Sequence, residues 1–348
     1  MADDPQRDFT DRAVRELLSR PDNLREFLAA VVPELAAGFD VERMRPAPRE
    51  FFLGNWRRRA ADLLFEIPYR AADREALALV CVLVEHQTRT DWQIPLKTFV
   101  YAALYWEWQW RAWEEARPPR PDFALTPVLP IVLHTGPRPW GSARTLRELL
   151  APPAAFHGFA PDWRPLFWEL AAHPPEVLLN GPAAFLQALA ILKADDRELA
   201  EAERLFAEAF QQLDPLHETG RVRWRELLGF LLGWALHRRP AAERPHWHAL
   251  AVRMQQTAER QREVENMGQT IAQSLMEEGR QEGRQEGRQE GRVQQTRAIL
   301  IRLAGKRLGA PDEAVRQAIE RLADLDRLDR MTDRIDEASS WADLLATP

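Results

Sequence analysis

The 348-residue chain is 45% hydrophobic and 29% charged, the balance of a globular protein long enough for two domains with sizeable cores. A formal net charge of −6 excludes a protein that coats nucleic acid by bulk charge, while leaving room for a local basic site. A single cysteine, Cys81, excludes an intramolecular disulfide, and the N-terminal MADDPQRDF has neither a basic start nor an apolar stretch, so a cytoplasmic protein that enters no membrane is expected.

From Thr10 the spacing of Val14, Leu17, Leu18, Leu24, Phe27, Leu28 and Val31 predicts two helices joined near Pro21. Three extended segments follow: EFFL at 50–53, ADLLFEIPY at 61–69 and ALVCVLVEHQT at 78–88. A long aromatic helix is predicted from about Pro95, and a buried strand over Val128 to His134, closed by Gly136. A crossover helix between strands implies an α/β protein with parts of its sheet covered on both faces.

The segment ending in VEHQT is unusual, because a run of buried strand residues finishes in a carboxylate, an imidazole and an amide. Strand alternation puts Glu85 and Gln87 on one face and His86 on the other. Asp62 starts the neighbouring candidate strand, where pairing would bring its carboxylate beside Glu85. Two adjacent carboxylates repel and lose hydration, a cost of several kcal/mol that a divalent cation removes. Oxygen ligands of this kind suit Mg²⁺ or Mn²⁺ and phosphodiester chemistry. On spacing alone, an ion pair with Arg58 or Arg59 is the stronger reading of these acids.

ADLLFEI, LVEHQT, DWQIPLKTFVYAALY and LPIVLHTG with Trp140, in that order, resemble the recombination-promoting nuclease (YhgA-like transposase) family of the PD-(D/E)XK nuclease superfamily, over roughly residues 8–175. The resemblance implies a restriction-endonuclease-like αβββαβ core and a divalent-metal-dependent DNA endonuclease. Asp62 and Glu85 would be its metal-binding acids, with Asp11 as a further acid and Glu16 as a weaker candidate for that place. Gln87 takes the place of the superfamily's lysine, and Lys97, one turn before Tyr101, stands where relatives often have Arg. Arg57, Arg58 and Arg59 of NWRRR precede Asp62 and are candidates to meet the DNA backbone. The alternative is a degenerate nuclease fold that binds nucleic acid or protein without cutting.

The expected organisation is a nuclease-like domain over 1–175, an all-α extension over 176–265, a polar Gly/Arg/Gln/Glu repeat over 266–295 and a C-terminal helical unit over 296–348. The repeat GRQEGRQEGRQEGR is either a helix with its glycines on one drifting stripe or a low-complexity linker. A homo-oligomer through the repeat or the aromatic helix is compatible with either nuclease reading.

Overall fold

A computed structural model of the chain describes residues 5–48, 50–52, 58–70, 78–116, 123–151, 153–322 and 324–347. The N-terminal helices α1 (Pro5–Leu18), α2 (Pro21–Val31) and α3 (Pro33–Ala36) each have proline in the first turn or at its edge, where no backbone donor is lost. They lead into β1 (Arg45–Pro46), β2 (Glu50–Phe52), β3 (Arg58–Ala60), β4 (Leu63–Tyr69) and β5 (Ala78–Gln87). The aromatic helix α4 (Ile94–Ala116) then crosses to β6 (Val128–His134), followed by β7 (Leu166–Glu169).

Five strands form one sheet in the order β1-β4-β5-β6-β7, antiparallel as far as β5 and parallel beyond it. The sequence reading of three adjacent strands before the crossover needs one correction. Glu50–Phe52 does not join this sheet but pairs with Arg58–Ala60 in a separate two-stranded ribbon, and β4 has the two-residue β1 as its other neighbour.

Alternation along the strands sorts the sheet into two faces. Leu63, Phe65 and Ile67 of β4, Val82 and Val84 of β5, and Ile131 and Leu133 of β6 join the large core that includes Val14, Leu17, Leu24 and Phe27. Leu64, Cys81 and Leu83 face the other way, against Tyr101 and Tyr105 of α4, while Val132 on that side packs with Ile94 and Trp140. β5 is therefore central and covered on both faces, as its near-continuous apolar run requires. Tyr105 donates a 2.7 Å hydrogen bond to Glu66 Oε1, which settles the phenol against the sheet. Trp108 and Trp110, farther along α4, are exposed.

The following helices are α5 (Pro175–Leu179), α6 (Ala184–Leu189), α7 (Leu199–Leu213), α8 (Leu216–Thr219), α9 (Arg221–Arg238) and α10 (Arg244–Arg253). Phe185, Phe206, Trp224, Leu231, Trp234 and Trp247 share the core already containing Phe27 and the helix-facing side of the sheet. Phe27 meets Trp168 and Phe185 edge-on, and α1 packs along α9.

The chain divides into two compact units, residues 1–271 and 272–348. Helix α11 (Ala258–Leu308) carries the chain from one to the other, and the backbone of the Gly/Arg/Gln/Glu repeat is helical within it. Gly309, at φ +86°, ends α11 in the left-handed conformation that glycine adopts without a steric cost. The second unit has its own core of Leu300, Ile319, Leu328, Met331, Ile335 and Leu344, contributed by α11, α12 (Glu313–Glu320), α13 (Leu325–Asp333), a short helical turn after α13 and α14 (Trp341–Leu345). Among the described residues, no helix is long and apolar enough to cross a membrane.

Trp234 is fully buried between Phe206 and Trp247, and its indole N–H donates 2.7 Å to Asp195 Oδ1. Trp234→Ala is expected to lower unfolding free energy by about 3–5 kcal/mol, whereas Trp110→Ala on the surface should change it by less than about 0.5 kcal/mol. Urea unfolding of both variants checks this, and equal effects would contradict the packing described.

Candidate active site at the end of the central strands

The β4–β5 register positions the site. Every antiparallel pair from Tyr69–Ala78 to Leu63–Val84 keeps the same alignment, so the next residues outward are Asp62 and Glu85. The Asp62 backbone N–H donates 3.2 Å to Glu85 Oε1, and the His86 backbone N–H donates 2.9 Å to Asp62 Oδ2. Each acid thus engages the other's strand, and the two carboxylates are drawn together at the sheet's end. Both lie beyond the apolar ladder, where the strands stop contributing hydrophobic side chains.

Glu85 is 5% exposed. Burial pushes its carboxyl well above the usual carboxylate range, and the neighbouring charge of Asp62 pushes it further. The hydrogen bond from the Asp62 N–H, together with the positive charges of Lys97 and Arg15, acts in the opposite direction without overcoming burial. The site therefore holds a carboxyl that is costly to ionise, beside a second acid.

Asp62 has its own cationic neighbour, Arg15 of α1, whose Nη1 donates 3.1 Å to Oδ1. Arg15 also donates through Nε to the Asp11 backbone carbonyl at 3.1 Å, which fixes the guanidinium across one turn of the helix. The sequence reading did not select Arg15. Its only signal there is its position one turn after Asp11, and that spacing becomes meaningful only once α1 is docked beside β5.

The remaining predicted residues occupy different places. Gln87 is half-buried two residues beyond Glu85 on the α4 side of the sheet, and its backbone carbonyl accepts a 2.9 Å hydrogen bond from the Thr135 N–H. Lys97 lies on α4 with Nζ 2.5 Å from Asp91 Oδ2, close enough to Glu85 for its charge to favour the ionised carboxylate. Asp11 turns toward His86 on the other side of the strand, its Oδ1 2.7 Å from Nδ1 in a polar contact without good hydrogen-bond alignment. His86, almost fully buried, shares a 2.7 Å hydrogen bond between Nε2 and Thr135 Oγ1. This polar chain links α1, β5 and the end of β6, and it gives the middle residue of VEHQT a structural role.

Of the basic run, Arg57 lies outside the described residues. Arg58 and Arg59 are in β3, with their backbones opposite Phe52 and Phe51. The side chains of Arg58 and Arg59 lie outside the described residues, and the ion pair described for Asp62 is the one with Arg15.

Mg²⁺ commonly takes one or two protein carboxylates and keeps several waters, which matches the donors available from Asp62 and Glu85. The raised Glu85 carboxyl fits such an ion, since a nearby cation would stabilise its ionised form. A closed cage does not fit: among the described residues, no group of three or more His, Cys, Asp or Glu side chains could hold a metal ion. Asp11 is accordingly not gathered with Asp62 and Glu85, because its carboxylate is directed to His86.

Fold and site together define a mixed α/β protein with an acid pair at the end of its central antiparallel strands, framed by an arginine from α1 and a lysine from α4. Residues 9–173 match the family described as "Putative transposase, YhgA-like", and this region is similar to that family. No curated protein and no solved structure matches the chain.

The elevated Glu85 carboxyl predicts a pH dependence of stability. In the unfolded chain Glu85 ionises near its ordinary value of 4.5, whereas in the folded protein it keeps its proton to higher pH. The unfolded state then binds fewer protons, so this group's contribution to stability falls as pH rises from 4.5 through the folded value. Without divalent cations, Glu85→Gln should therefore melt higher than the natural protein at pH 8, with the gain shrinking toward pH 4. A wild-type melting temperature equal to that of the variant across this range would contradict the assignment.

Proposed function

We propose that this protein is a divalent-metal-dependent DNA endonuclease with a restriction-endonuclease-like core, using Mg²⁺ or Mn²⁺ at Asp62 and Glu85. The observation that carries the proposal is the acid pair itself: buried Glu85 is held beside half-buried Asp62, where its ionised form is poorly stabilised by protein groups alone. The match of residues 9–173 to a transposase-like family supports nucleic acid as the substrate class.

In this reading Asp62 and Glu85 are the metal ligands, and Gln87, on the same face, orients the attacking water or a phosphate oxygen. Gln87 can do so by hydrogen bonding only, so positive charge near the scissile phosphate comes from Lys97 and Arg15. A bound cation supplies Lewis-acid stabilisation of phosphodiester charge and a more acidic water. Arg15 also holds Asp62 in place, and the Asp11–His86–Thr135 chain fixes the strand end from behind.

A second reading, a degenerate nuclease fold that binds nucleic acid or protein without cutting, is favoured by the neutral Gln87 and by the engagement of Asp62 with Arg15. Cleavage separates the two. Purified protein with Mg²⁺ or Mn²⁺ should cut plasmid and linear DNA, and Glu85→Ala should lower the rate by about a hundredfold or more while the circular dichroism spectrum remains native. Intact DNA with both ions, or cleavage insensitive to Glu85, would overturn the nuclease proposal. DNA binding indifferent to metal and to Glu85 would favour the second reading.

A further inference from the structure

Beside the acid pair, where β5 and the parallel β6 end, the structure has a cleft of about 500 Å³. Its lining comes from two loops and a helix: Thr88, Arg89 and Thr90 after β5, His134 and Gly136 through Arg138 at and beyond the end of β6, and Arg238 at the end of α9. Three guanidinium groups and two threonine hydroxyls line it, and no carboxylate is among its lining residues. In a chain with a formal net charge of −6, this is a local concentration of anion-binding groups.

The three arginines have different duties. Arg238 is committed to Asp195, with Nε donating 3.1 Å to Oδ1 and Nη2 paired with Oδ2. Arg89 and Arg138 are exposed and make no ion pair among the described residues. Among the described residues, no carboxylate pairs with their charge. Two guanidinium groups on neighbouring loops can each present paired N–H donors to phosphate oxygens.

The cleft floor is also fixed. The Thr135 N–H donates 2.9 Å to the Gln87 carbonyl, which ties the two strand ends together. A Cβ at Gly136 would lie 2.6 Å from both His134 Nε2 and the Thr88 carbonyl oxygen, so only glycine lets the β6 turn approach this closely. His134 is 2% exposed, and its buried Nδ1 has no hydrogen-bond partner among the described residues. Burial pushes the imidazole toward its neutral form, in which one ring nitrogen can donate and the other accept. The ring nitrogen nearest the Gly136 turn is Nε2, so the imidazole edge lines the cleft beside Gly136.

We infer that this cleft binds a backbone phosphate of the nucleic-acid strand, with Arg89 and Arg138 as its principal contacts and Thr88 and Thr90 as hydroxyl donors. This rests on the nucleic-acid reading of the adjacent acid pair, but it does not require that the acid pair cut. Arg89 is two residues beyond Gln87, and His134 pairs in register with Gln87, so a strand seated here passes the end of β5. Phosphate recognition is then assigned to the ends of β5 and β6.

Fluorescence anisotropy of a labelled duplex, measured without divalent ions over a salt series, tests the inference. Arg89→Ala with Arg138→Ala should weaken binding by about tenfold or more at moderate salt and reduce the slope of log affinity against log salt by about 2, as expected for two lost phosphate contacts. Arg197→Ala with Arg204→Ala, on the exposed surface of and before α7, removes the same charge elsewhere and should change binding by less than threefold. Unchanged affinity and slope in the first double variant, an equal loss in the control, or no binding by the natural protein would overturn the inference. Equally tight binding of a labelled mononucleotide would assign the cleft to free nucleotides and also overturn it. Because both arginines are exposed, native melting of the variants is expected and is checked alongside. Loss of cleavage in Glu85→Ala does not bear on this result, so the cleft and the nuclease proposal can fail separately.

Discussion

The antiparallel register between β4 and β5 is the constraint on which the rest of the site depends. Leu63 opposite Val84 makes Asp62 opposite Glu85 the next step outward, and a shift of one residue would reverse the face of every side chain on one strand. The apolar residues hold this register from both sides, Val82 and Val84 toward one core and Cys81 and Leu83 toward the other. The hydrophobic pattern thus fixes two acids in a position that electrostatics alone would oppose. The resulting stress falls mainly on Glu85, because it is the more deeply buried of the two.

The elements around this pair divide the work by direction. From one side α4 brings Lys97, and from the other α1 brings Arg15 to Asp62 and Asp11 to His86. One helical turn separates Asp11 from Arg15, so docking α1 once positions both. The turn after β6 adds Thr135, joined to His86 through its hydroxyl and to Gln87 through its backbone. A change in the packing of α1 or of this turn would therefore move functional groups without touching an acid.

Much of this arrangement was legible in the sequence, for identifiable reasons. Alternation along a buried strand separates Glu85 and Gln87 from His86, and the packing of the even and odd residues of β5 follows that division. The apolar runs likewise mark β4, β5 and β6 closely, because long buried strands have a strong signature. β1 and β7 are only two and four residues long and carry too little pattern to be read. The pairing of Glu50–Phe52 with Arg58–Ala60 was missed because local strand propensity does not choose a partner. Arg15 and the Asp11–His86 contact depend on how α1 docks, information that helical periodicity does not contain. The Arg89 and Arg138 cleft was missed for the same reason, since its residues come from separate loops that approach only when β5 and β6 lie parallel.

The central claim is that Asp62 and Glu85 form a divalent-cation site. The most direct test is the melting temperature of the natural protein and Glu85→Gln at pH 8, with and without Mn²⁺ and in the absence of DNA. A cation that binds the folded pair stabilises it by mass action, so Mn²⁺ should raise the wild-type melting temperature in a concentration-dependent way and leave the variant nearly unchanged. Equal responses of the two proteins, or no response of the natural protein at millimolar Mn²⁺, would contradict the claim.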